Sequence, residues 1–281
     1  MLLKQKGCQV SRQVEKEYAI DDLRYLMRRL RDPDTGCPWD IKQNYKTIVP
    51  YTLEEVYEVV DTIERGDYEH LREELGDLLF QIIFYCQLGE EEGLFRFSDI
   101  VTTITAKLVH RHPHVFPDGT LKSKRDAQEI QSETEIKKTW EDLKKQEREN
   151  KGKQHLLDDI PIAMPAMNRA YKMQKRAALE GFDWPEVQGV FDKLSEEVTE
   201  LEKEIEKNDV DAIEEEMGDI LFTCVNLARH LSVDPEKALR AANNKFQRRF
   251  DHMESLSENT DLASLSMSDL ETLWLAAKKG Q

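Results

Sequence analysis

Apolar residues along this chain recur at spacings of three and four. Leu53, Val56, Val60 and Ile63 mark one such stretch, and Leu194, Val198, Leu201 and Ile205 mark another. That period places the apolar positions on one side of a helix. No alternating stretch of useful length competes with it, so the pattern predicts an all-α fold. The most apolar run, LLFQIIFYCQL at 78–88, is too short to span a bilayer.

The helical stretches come in two copies. TLEEVYEVVDTIERGDYEHLREELGDLLFQIIFYC (52–86) overlaps KLSEEVTELEKEIEKNDVDAIEEEMGDILFTCV (193–225) without a gap at a constant offset of 142, residue 52 falling on residue 194. CPWD precedes the first copy and FDWP the second, while KLVHR (107–111) answers KFQRR (245–249) downstream. A fixed offset with matching flanks indicates a duplicated unit of ordinary domain size. We therefore expect an N-terminal extension over 1–20, a first helical domain over 21–117, a charged connector with one solvated helix over 118–157, and a second helical domain over 158–281. Within the last of these, MNRAYKMQKRAALEG predicts a helix ending at Gly181.

Turn residues interrupt each copy at its middle. Gly66 centres the first, in ERGDY, and Asn208 the second, in KNDVD. Both types tolerate the left-handed conformation that ends a helix. Glu200 and Glu216 are each eight residues from Asn208, and Glu197 and Asp219 are each eleven. Glu58 and Glu74 stand in the same relation to Gly66, as do Glu55 and Asp77. Positions equidistant from the turn of an antiparallel helical hairpin face each other, so each copy converges four carboxylates. Like charges held that close need a neutralising partner. Oxygen donors without His or Cys suit a hard cation, Mg²⁺ with Mn²⁺ as a substitute. Solvated helix faces account for most Glu-rich runs, and Glu202, Glu204 and Glu206 are expected to be that. A mid-helix glycine, Gly76 or Gly218, beside each cluster suggests either close approach by a ligand or backbone, or simple packing of neighbouring helices. Ile220, Leu221 and Phe222 after the second cluster are expected to anchor in the core.

Charge and composition narrow the chemistry. A formal net charge of −16 disfavours a broad grip on nucleic acid, while leaving metal-mediated binding of a small phosphate compound open. Lys107 and Arg111, and likewise Lys245 and Arg249, fall on one helix face and could meet phosphate oxygens, with Lys193 one turn before Glu197. Four scattered cysteines (Cys8, Cys37, Cys86, Cys224) suggest reduced thiols, and the start lacks the apolar region of an export signal, so a soluble cytoplasmic protein is expected. In HRHPHVF, Pro113 ends a helix and spreads the histidines, favouring capping or packing over ligation. Trp39 and Trp184 read as core or domain-entry residues, and Trp274 as core or as a base-stacking partner.

Taken together, EExxE, a hairpin, EExGD and KFxRRF resemble the MazG family of nucleoside triphosphate pyrophosphohydrolases. The likeness also takes in GCPWD (36–40), RHPHVF (111–116), DDIP…QKRAA…GFDW (158–184) and NLARHL (226–231). It implies two tandem all-α domains working as a homodimer, and the reaction NTP + H₂O → NMP + pyrophosphate over a broad range of nucleotides, ATP among them. Glu197, Glu200, Glu216 and Asp219 would be the metal ligands, with Glu197 or Glu196 activating water. Lys193, Lys245 and Arg249 would contact phosphates, with Trp274 and Lys278 near the nucleotide. By the same likeness, a second and weakly active or inactive site would comprise Glu55, Glu58, Glu74, Asp77, Lys107 and Arg111. Where relatives often carry a lysine four residues before the second-helix glutamate, this chain has Ala212. A nucleotide-binding scaffold without hydrolysis is the competing expectation.

Overall fold

The computed structural model describes residues 17–126, 132–150, 155–257 and 260–279; Cys8 and the N-terminal stretch lie outside them. The described residues form helices and turns without a strand, as the periodicity predicts. In chain order the helices are α1 (Ile20–Leu30), α2 (Pro38–Lys42), α3 (Tyr45–Arg65), α4 (Tyr68–Glu91), α5 (Phe97–Arg111), α6 (Glu133–Asn150), α7 (Ala166–Leu179), α8 (Val187–Lys207), α9 (Val210–His230), α10 (Pro235–Leu256) and α11 (Met267–Lys279). Two compact units divide between Leu143 and Lys144, within α6.

In the first unit α3 and α4 pair as a hairpin, and α1 packs on α4. Met27, Ile48, Ile83, Phe84 and Leu88 form the buried centre, with Leu23, Tyr45, Phe80, Tyr85 and Phe97 packed against it. Arg31 ties the top of this core together: it pairs with Glu91 at 2.6 Å, donates to the Gln43 carbonyl at 3.2 Å and lies over the Phe84 ring. A guanidinium can serve all three because its planar fork offers five donors and a stacking face. Near the C-terminal end of this unit, His112 bonds its ring to the Leu108 carbonyl at 2.6 Å and packs beside His114 and Trp140. His112 thus bonds the end of its helix and packs against a second histidine and a tryptophan.

The second unit repeats the hairpin with α8 and α9, and α7 and α10 pack on α9, with α11 on α10. Gln174 of α7, buried, donates to the Phe222 carbonyl at 2.8 Å. Asp183 receives both Arg229 and His230 from the end of α9, the latter at 3.0 Å, which fixes the chain entering α8. Trp184 follows it and is 40% exposed, lying so close to Gly189 that a Cβ there would stand 2.4 Å from the indole. Trp39 is 48% exposed, edge-on to Tyr51. Neither tryptophan is a core residue; each lies beside the first turns of its hairpin.

Both hairpin turns have the same construction. Gly66 (φ 71°) and Asn208 (φ 56°) end α3 and α8 in the left-handed conformation. Asp67 and Asp209 then cap α4 and α9 by accepting from the amides of His70 and Ala212. The left-handed residue reverses the chain and the aspartate satisfies an amide that the next helix leaves open. Because a Cβ in that conformation costs about 1–2 kcal/mol, Gly66→Ala should lower the unfolding free energy by about that amount in urea titration, whereas Asn208→Gly should not lower it by more than a few tenths.

Candidate functional site

Each hairpin turn sets the rotational phase of two helices, and that phase brings carboxylates together eight and eleven residues away. On α8 and α9, single carboxylate oxygens of Glu197, Glu200 and Glu216 all lie within 4.8 Å of one another. On α3 and α4 the corresponding Glu55, Glu58 and Glu74 do the same. Asp219 and Asp77 stand outside these trios yet remain close enough to act on them: Asp219 is among the charges that raise Glu216, and Asp77 among those that raise Glu55.

The electrostatics are those of crowded acids. Partial desolvation, then the charges of Glu200 and Glu197, push the Glu216 carboxyl above the ordinary range. Desolvation followed by Glu58 and Asp77 does the same to Glu74. Burial and Asp77 raise Glu55, against a lowering hydrogen bond from Gln81. Both mechanisms disfavour the charged form.

Glu197 is the most enclosed of the second trio, 4% exposed, and it has a cation. Lys193, one helical turn earlier, sits 2.7 Å from Glu197 and 2.9 Å from Glu196, and these two bonds hold the ammonium well above its usual pKa. In the first copy the residue 142 positions earlier is Tyr51, and Glu55 is held instead by the buried amide of Gln81 at 3.3 Å. Gln81 was not singled out from the sequence. Its signal was a lone polar residue inside the run LLFQIIF, where Thr223 occupies the second copy's equivalent position.

The remaining site residues sit on other helices. Lys245, exposed, and Arg249, half-buried, lie one turn apart on α10. Trp274 and the exposed Lys278 lie one turn apart on α11, with the indole half-buried against Phe246 at a centroid separation of 5.4 Å. Lys107 and Arg111 occupy α5, the former exposed and the latter half-buried. In the second unit the structure therefore gathers the carboxylates with Lys193 on the α8–α9 hairpin, and the other basic and aromatic candidates on α10 and α11.

Two details differ from expectation. Leu221 and Phe222 do not enter the core; they are 50% and 43% exposed, and only Ile220 is partly covered. A helix projects side chains all round its axis, and these two fall on the face that the unit does not cover. Glu204 is not a freely solvated acid, since it is half-buried and bonds Lys207 at 2.6 Å, whereas Glu202 and Glu206 are exposed. At Gly76 and Gly218 a Cβ would meet nothing within 4 Å among the described residues.

Comparison with known proteins finds one family over both hairpins. The MazG nucleotide pyrophosphohydrolase domain matches residues 43–116 and again 186–254, once over each hairpin. The chain belongs to the MazG family. That makes it a hydrolase of the nucleotide pyrophosphohydrolase type. It is 47% identical over 264 residues to the nucleoside triphosphate pyrophosphohydrolase of Escherichia coli K12, covering 92% of this chain and 97% of that protein. It is also 40% identical over 263 residues to the nucleoside triphosphate pyrophosphohydrolase/pyrophosphatase MazG of Thermotoga maritima, covering 93% and 96%. The uncharacterized protein YabN of Bacillus subtilis is 41% identical over 269 residues, which span 93% of this chain and 52% of YabN.

The raised carboxyls have a consequence for stability. A carboxyl with a higher pKa in the folded than in the unfolded state binds its proton more tightly when folded, so its contribution is fully present below the unfolded value and is lost as pH rises through the folded value. In EDTA-treated protein, Glu216→Gln cannot suffer that loss. Its melting temperature should match the parent's near about pH 4 and exceed it by a growing margin toward about pH 7, the parent's carboxylates ionising over that window; a scanning-calorimetry series across that range checks this.

Proposed function

We propose that this protein hydrolyses nucleoside triphosphates to nucleoside monophosphate and pyrophosphate, at the α8–α9 hairpin. The observation that carries the reading is the convergence of Glu197, Glu200 and Glu216 within 4.8 Å, in a chain of the MazG family. Such a cluster suits charge-neutralised phosphoryl chemistry.

The donor set fits a hard divalent cation. Glu197, Glu200, Glu216 and Asp219 would hold Mg²⁺, or Mn²⁺ in its place, with carboxylate oxygens alone. When bound, such a cation supplies charge neutralisation and polarisation of phosphate oxygens. The chain's own groups do the rest. Glu197 or Glu196 accepts the proton of the attacking water, which then forms the new bond to the α-phosphorus while the pyrophosphate oxygen departs. Lys193, Lys245 and Arg249 hold phosphate oxygens as the negative charge shifts toward the leaving group. Trp274 offers a ring face near Lys278 for the nucleoside, a contact that reads no particular base and so agrees with broad specificity. At position 212 an alanine offers no phosphate contact.

A homodimer also follows from the reading. Val198, Leu221 and Phe222 leave 42–50% of their surface in water on this hairpin, and Gly218 beside them is open. Exposed apolar surface of this kind marks an interaction face, and a second hairpin of the same pattern would bury it. Leu221→Glu with Phe222→Glu should shift the protein from dimer to monomer in sedimentation equilibrium; a mass unchanged by the pair places the interface elsewhere.

Activity decides between hydrolysis and binding alone. With Mg²⁺ and mixed nucleoside triphosphates, pyrophosphate release should fall at least ~100-fold in Glu216→Gln and in Asp219→Asn, more than loss of a supporting contact typically costs. Full turnover in both variants would remove the assignment of this site. Binding without any pyrophosphate release by the parent protein would instead favour the scaffold.

A further inference from the structure

Lys193 stands in an unusual position for a phosphate-binding residue, because its ammonium is already engaged with two glutamates of the hairpin that would hold the cation. One of them, Glu197, is 4% exposed. An acidic side chain so enclosed calls for a partner of opposite charge. The ammonium at 2.7 Å supplies it. Lysine is also the basic residue best suited to let go, being a single charge on a four-carbon stem rather than a fixed fork.

The first copy indicates that the lysine is not there to assemble the hairpin. With Tyr51 at the equivalent position, Glu55, Glu58 and Glu74 still come within 4.8 Å of one another. What Lys193 adds to the second copy is therefore a positive charge on a carboxylate that a cation also needs.

We propose that Lys193 is an exchangeable counterion of Glu197, displaced by the divalent cation and transferred to the triphosphate, so that cation and substrate bind cooperatively at α8–α9. This rests on the hydrolase reading above. Two cations cannot share one carboxylate oxygen without mutual repulsion, so the lysine weakens cation uptake until a polyanion accepts it. The coupling is reciprocal: cation strengthens triphosphate binding by the same factor that triphosphate strengthens cation binding. Lys193 acts on the cation through Glu197 and is in that respect a positioning residue.

The test uses the full chain carrying Glu58→Gln and Glu74→Gln, so that bound Mn²⁺, read by electron paramagnetic resonance, reports on α8–α9. With Lys193 present, Mn²⁺ should bind weakly alone and roughly tenfold or more tightly with a non-hydrolysable triphosphate analogue. Lys193→Met should raise nucleotide-free affinity roughly tenfold and abolish the analogue's enhancement, while Lys193→Arg keeps affinity low. A folded Lys193→Met protein that binds Mn²⁺ no more tightly than its parent overturns the proposal and leaves the hydrolase reading intact. Absence of Mn²⁺ at this hairpin even with the analogue overturns the cation site itself. Should Lys193→Met fail to fold, acetylation of Lys193 in the unaltered chain, followed by peptide mass spectrometry, replaces it. Its rate should climb with Mg²⁺ concentration, and a rate indifferent to Mg²⁺ overturns the exchange.

Discussion

Acids gathered across each helical hairpin are the constraint on which the rest of this protein depends. Desolvation first, and the charges of neighbouring acids after it, raise the carboxyls of Glu216 in one hairpin and of Glu74 and Glu55 in the other, so the packing that brings these groups together works against their charge. The fold offsets that cost with elements remote from the charges: buried apolar contacts along α4, the Gln174 bond to the α9 backbone, and the clamp of Asp183 on Arg229 and His230. Stability is thus supplied at the ends and backs of the hairpins, leaving their middles free to be unfavourable. A site poised in this way gains from any cation that enters it, since binding removes a strain that the folded chain already bears.

The two copies relieve the repulsion by different means. An ammonium sits on Glu197, whereas a neutral amide sits on Glu55. The acid positions stand at one offset while the groups beside them differ, so the copies share a geometry without sharing an electrostatic balance. Geometry depends on backbone phase, which many side chains jointly specify; balance depends on one or two residues and is free to change. Duplication followed by such local change is a direct route from two equal sites to two unequal ones.

Most of the site was legible in the sequence because helices are regular. Once Gly66 and Asn208 are recognised as turn centres, counting eight and eleven residues outward is enough to pair Glu200 with Glu216 across α8 and α9, and the left-handed φ angles bear out both centres. What periodicity could not convey is which apolar positions find partners. Leu221, Phe222, Trp39 and Trp184 look like core residues by type, yet hydrophobic character states a preference for burial and not where a covering surface lies. Gln81 and the Lys193 contact were hidden for another reason. They depend on side-chain reach across and along the hairpin, and a residue's type alone does not say which of several neighbours it will choose.

The paired turns carry a consequence for how such a protein can vary. Surface turns ordinarily accept inserted or deleted residues at little cost. Here one residue added between Gly66 and Asp67, or between Asn208 and Asp209, would rotate the following helix by about 100° relative to its partner, carrying Glu74 or Glu216 off the shared face. The length of each turn is as much a part of the candidate site as the acids themselves. The gap-free register of 52–83 on 194–225 keeps the two turns equal in length within a single chain.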